Sequence, residues 1–134
     1  MSDILDRMQK RYDAVCQRIN PVEGHYTFLT ERSDNGAPHV EFENGIFHHI
    51  VTERGLELER ESFENGEDLL YRLVSDTTFW MASGYEFKNR IEGQDARRIM
   101  FAKWIELMER ASAEYAGKTR TKIDKILKKN PYMS

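Results

Sequence analysis

The residues of this chain most able to do chemistry lie between Glu86 and Arg98, where Glu86, Lys88, Arg90, Glu92, Asp95, Arg97 and Arg98 crowd together. Glu86-Phe87-Lys88 has the acid-x-lysine spacing of metal-dependent nucleases, in which the acid holds the ion and the lysine steadies developing charge. That spacing serves a strand, where alternate residues share a face. The surrounding pattern is helical, and there residues two apart diverge. A small metal-dependent or acid/base enzyme using the Glu86 to Arg98 cluster is therefore the alternative reading. The simpler one is a structural ion-pair network at a turn between two helices, with Arg90, Arg97 or Arg98 forking onto Glu86, Glu92 or Asp95.

Glu57, Glu59 and Glu61 recur at a spacing of two and are followed by Glu64. On a strand the first three share one face, where carboxylates repel one another unless something basic approaches. A charged edge strand that resists aggregation has the same appearance. The four histidines make a poor metal site, because His48 and His49 are neighbours on a strand and point to opposite faces, and His25 and His39 stand near strand starts without ligand spacing. No cofactor is expected. Lys118 to Lys129 is basic but lacks interleaved aromatic residues, so a solvated helix face is preferred to a nucleic-acid adaptor. Cys16, the one cysteine, falls within an apolar periodicity and reads as packing.

These residues need a scaffold, and its centre is Asp68 to Met108, which holds both tryptophans. Leu70, Leu73, Val74, Thr77, Met81 and Tyr85 recur three and four apart, the spacing of one helix face. Ile99, Phe101, Trp104, Ile105 and Met108 repeat the pattern after a break at Glu92-Gly93. Asn65 is placed to cap the first of these helices, and Glu67 and Asp68 suit its positive end. An amphipathic helix is expected from Asp3 to Ile19, stopped by Asn20-Pro21. Ser112 can cap a last helix from Ala113 to Lys129.

Between the first helix and the centre the pattern has period two. Strands are expected at Tyr26 to Thr30, around Val40 to Glu43, at Ile46 to Thr52 and at Leu56 to Phe63. The turn cluster Ser33-Asp34-Asn35-Gly36 follows the first, Asn44-Gly45 gives a strong two-residue hairpin signal, and Arg54-Gly55 turns the chain again. In the last strand Leu56 and Leu58 would oppose the acidic face. The expected fold class is α+β: a four-stranded antiparallel β meander packed against a helical bundle, with an N-terminal helix, in one domain over 1–134.

Composition bounds the function. With 40% hydrophobic and 32% charged residues the chain is globular in type, and no apolar run approaches a membrane span. The charged start MSDILDRMQK lacks the apolar core of a secretory leader, so a cytoplasmic location and no membrane partner are expected. The net charge is −3, but it is unevenly spread: Glu23 to Asp68 holds twelve acids against three bases, and Leu69 to Ser134 thirteen bases against eight acids. Such a split can steer a charged partner.

The runs HHIVTERGLELERESF, DLLYRLVSDTTFWMASGYEFKNRIEGQDARRIMFAKWIELM and KIDKILKKNPYMS resemble the bacterial polymorphic-toxin immunity proteins of family 63. The resemblance covers about the last two thirds of the chain, and the first 35 residues share it only loosely. Its most specific parts are Glu53-Arg54-Gly55, Asp76-Thr77-Thr78-Phe79 with Met81-Ala82, and the segment from Tyr85 to Arg98. It implies a protein encoded beside a secreted toxin that binds this cognate toxin inside the producing cell. From the residues themselves no nucleic-acid partner is expected, and the oligomeric state, monomer or homodimer, stays open. It supplies no catalytic residues. Joined to the charge pattern, it makes Glu57, Glu59, Glu61 and Glu64 the candidate toxin-binding residues.

Overall fold

A computed structural model describes residues 3–21, 30–32 and 35–133. Its elements run α1 (Asp3–Ile19), β1 (Asn35–Glu43), β2 (Ile46–Glu53), β3 (Leu56–Phe63), α2 (Gly66–Lys88), α3 (Ala96–Ala111) and α4 (Ala113–Lys129). The fold is α+β, with the helix at its N-terminus that the apolar spacing predicts. Among the described residues the chain divides into two compact units, one within Met1–Ala14 and Thr27–Leu73, the other within Val15–Tyr26 and Val74–Ser134.

The first unit is built on a three-stranded antiparallel sheet of order β1-β2-β3. Among the described residues the expectation of four strands is corrected: the sheet has three, and β1 pairs with β2 alone. Pro38 within β1 fits such a position, since a residue without an N–H is tolerated on an edge strand. Tyr26 to Leu29 of the expected first strand lie outside the described residues, as do His25 and Ser33-Asp34, and Thr30 belongs to no strand. Both hairpin turns place two successive residues at positive φ, Asn44 and Gly45 at 53° and 79°, Arg54 and Gly55 at 52° and 80°. That is the turn whose twist matches the flanking strands.

One face of the sheet meets the helices of its own unit. Phe42 and Phe47 pack against each other across β1 and β2, their rings tilted with centroids 4.7 Å apart. The Phe47 ring and the Met8 methyl both come within 4 Å of where a side chain on Gly66 would begin, so that glycine lets α1, β2 and the start of α2 close on one another. Tyr12, Leu69 and Leu70 are buried in the same unit. Asn65 caps α2 as expected, its Oδ1 accepting the Asp68 N–H at 2.9 Å.

The second unit is helical. Its buried residues include Val74, Thr78 and Ala82 of α2, Phe101, Trp104, Leu107 and Met108 of α3, and Tyr115, Ala116 and Ile123 of α4. Thr78 shows how a stretch of poor helix formers is held. Its hydroxyl bonds back to the Val74 carbonyl at 2.8 Å and accepts the Trp104 indole N–H at 3.0 Å. The chain passes from α3 to α4 through Ser112 alone, whose extended backbone ends one helix and whose Oγ accepts the Tyr115 N–H to begin the next. Arg18 at the end of α1 donates two hydrogen bonds to the Ala111 carbonyl, satisfying the C-terminal end of α3.

Candidate functional site

Along β3 the expected acidic face is divided. Val51 pairs with Glu59 while its neighbour Thr52 pairs with Glu57, so Leu58 is an extra residue in the ladder. Adjacent residues of β2 point to opposite faces, and the bulge therefore sends Glu57 to one side and Glu59 with Glu61 to the other. Each side supplies its own cation. Glu57 and Arg60 form two hydrogen bonds of 3.0 and 2.7 Å, and the guanidinium holds the Glu57 carboxyl below its usual range. Glu59 and Glu61 both meet Arg72 of α2. Glu64 is exposed just beyond the strand.

Leu56 and Leu58 were expected to form an apolar face in packing. They are 65% and 57% exposed, because β3 is the last strand of the sheet and nothing among its described neighbours covers them. Every residue of β3 from Leu56 to Ser62 is exposed. The strand thus presents two bare leucines among carboxylates, with its outer ladder of N–H and C=O groups unpaired among the described residues.

The Glu86 to Arg98 cluster resolves into two pairs. Glu86 is buried and accepts two hydrogen bonds from Arg90, one turn on, at 3.0 and 2.9 Å. Asp95 caps α3 through the Arg97 N–H, meets the Arg97 guanidinium at 2.8 and 3.2 Å, and accepts the Met133 N–H. These bonds hold the Asp95 carboxyl well below the ordinary carboxylate range, the Arg97 side chain contributing most. A carboxylate so stabilised is a poor proton acceptor at neutral pH. Arg97 also donates to the carbonyls of Asn130 and Pro131, and Arg98 lies 4.2 Å over the Tyr132 ring. Lys88 and Glu92 are exposed and stand outside both pairs.

His48 and His49 do point apart: His48 Nδ1 meets the Ser62 hydroxyl at 2.8 Å, while His49 is buried. His39 is buried with its Nε2 2.7 Å from Glu41. Among the described residues no three His, Cys, Asp or Glu side chains gather in a way that could hold a metal ion.

What sequence reasoning missed is a second apolar line on α2. Tyr85, expected in the buried stripe, is 44% exposed, because beyond Val74 the buried side turns to Thr78, Ala82 and Glu86. The spacing that joins buried Leu69, Leu73 and Thr77 runs on through Trp80, Gly84, Phe87 and Ile91, of which Trp80 and Phe87 are 63% and 73% exposed. Counting both lines of apolar residues on one helix would have revealed an excess over what one face can bury.

No helix among the described residues is long and apolar enough to cross a membrane. No curated protein and no solved structure matches the chain. The family model for immunity protein 63 matches residues 43–125, a span that takes in all of β2 and β3, all of α2 and α3, and most of α4. With more than half of its length matched, the chain belongs to the immunity protein 63 family.

Proposed function

We propose that this immunity protein neutralises a cognate secreted protein toxin by binding it in the cytoplasm of the producing cell, with β3 and the residue just beyond it as the docking strand. The observation that carries the docking assignment is the exposure of β3 from Leu56 to Ser62, where carboxylates lie on both faces and two leucines lie bare. A toxin whose working site is basic would find there both charge and apolar contact. The ion pairs to Arg60 and Arg72 are little obstacle, since exposed pairs are weak in water and a carboxylate can exchange one cation for another. Complementary charge speeds encounter, and the leucines provide the desolvated anchor that slows escape.

The test is reversal of Glu57, Glu59, Glu61 and Glu64 to Lys. Association with the toxin domain encoded beside the chain should slow, more at low than at high ionic strength, and cells producing that toxin should lose protection. An association rate and protection equal to the unaltered protein's, with the circular dichroism unchanged, would remove β3 from the interface.

A further inference from the structure

We infer a second docking surface, in the helical unit, for an acidic and apolar segment of the partner protein. It rests on the reading of the chain as a toxin-binding protein, though not on β3 being the contact. Trp80, Phe87 and Ile91 stand on one line of α2 and the turn after it, each more than half exposed. Exposed aromatic residues in such a line are uncommon on a surface that meets only water. Beside them a groove of about 490 Å³ opens between α2 and α3, its apolar lining made by Met81, Tyr85, Phe87 and the buried Leu107.

The rim of that groove says what fits it. Lys88, Lys103 and Arg110 stand around it, and the carboxylate at hand, Glu106, already accepts from both Lys103 and Arg110 at 3.2 and 2.8 Å. Lys88 is exposed and has no ion-pair partner among the described residues. Lys103 also lies 4.5 Å over the Tyr85 ring and Arg90 lies 5.5 Å over Phe87, so the apolar lining is itself edged by cations. Three cations against one shared carboxylate leave the rim positive. An occupant must therefore bring carboxylates together with apolar side chains. A second copy docked about a twofold axis would bring the same cations face to face, which disfavours self-pairing through this groove. The chemistry selects an acidic amphipathic segment laid along α2.

The experiment titrates the purified, catalytically inactivated toxin domain encoded beside the chain against the unaltered protein and against Phe87→Ala, Trp80→Ala and Lys88→Glu. All three positions are exposed, and thermal melts check that each variant folds. Each variant is expected to lose about tenfold or more in affinity, with the Lys88→Glu loss shrinking as salt rises. Binding of all three within about twofold of the unaltered protein would overturn the inference while leaving toxin binding intact. Failure of the unaltered protein to bind would overturn the toxin-binding reading itself, and this one with it. Sedimentation of the chain alone supplies the remaining outcome: self-association abolished by the same substitutions would make the occupant a second copy and overturn the proposal.

Discussion

Asp95 and Arg97 sit two residues apart and hold each other through contacts of 2.8 and 3.2 Å, and together they fasten the chain that follows α4. Asp95 accepts the Met133 N–H at 3.0 Å, while Arg97 donates to the Asn130 and Pro131 carbonyls at 2.8 and 2.9 Å. One carboxylate thus serves as the cap of α3 and as an anchor for the segment after α4.

That arrangement makes a pH prediction. The Asp95 carboxyl is lowered when folded, by the Arg97 side chain first and then by the Met133 and Arg97 N–H groups. A lowered carboxyl contributes stability that is fully present above its unfolded value, near pH 4, and is lost as pH falls toward the folded value. Asp95→Asn should therefore be less stable at neutral pH and show a flatter fall in urea midpoint below about pH 4. Parallel curves for the two proteins would mean that Asp95 contributes nothing through its charge.

The Thr78 hydroxyl makes the second prediction. It is fully buried and accepts the Trp104 indole N–H. Thr78→Val keeps the shape and removes the acceptor, leaving a buried donor unsatisfied at a cost of about 1–3 kcal/mol. Thr78→Ser should recover most of that. Urea unfolding followed by tryptophan fluorescence measures both, and a valine variant as stable as the original would refute the assigned bond.

How much of this was legible in the residues differs by element. Asn65, Ser112, Asn44-Gly45 and Asn20-Pro21 announced their helix ends and turns because each acts on its own backbone, within three or four positions. Leu58 could not announce its bulge. Alternation along Leu56 to Phe63 looks regular in the sequence, and the slip becomes visible only in the pairing with Val51 and Thr52. The division of Glu57 from Glu59 and Glu61 is thus a property of two strands together. Tyr85 was misplaced for a related reason: the buried side of α2 shifts along its length, and one helical period cannot express a change in neighbours.

The turn joining β2 to β3 leads to the third prediction. Arg54 adopts φ 52°, a left-handed conformation that costs a residue with a side chain about 1–2 kcal/mol relative to its usual regions. Asparagine tolerates it better, and Asn-Gly is the favoured pair for this hairpin. Arg54→Asn should raise stability by about 0.5–1 kcal/mol, read as a higher urea midpoint with unchanged slope. A loss of stability would show that the Arg54 side chain does something for the fold beyond occupying the turn.

Ser112 provides the last prediction, and it tests the corner on which α3 and α4 meet. The residue is extended, φ −171° and ψ 153°, so neither helix continues past it. Its backbone N–H still reaches the Met108 carbonyl at 2.9 Å and its Oγ accepts the Tyr115 N–H at 3.0 Å, which makes it the end of one helix and the start of the next. Ser112→Ala retains the first bond and loses the second, at a cost of about 1 kcal/mol. For a chain of this size that lowers the melting temperature by roughly 4 °C. Ser112→Asp restores an acceptor and adds charge at the positive end of α4, so it should match or exceed the original. Equal melting of the alanine variant and the original would mean that packing around Ala111 and Tyr115, both buried, holds the corner without the cap.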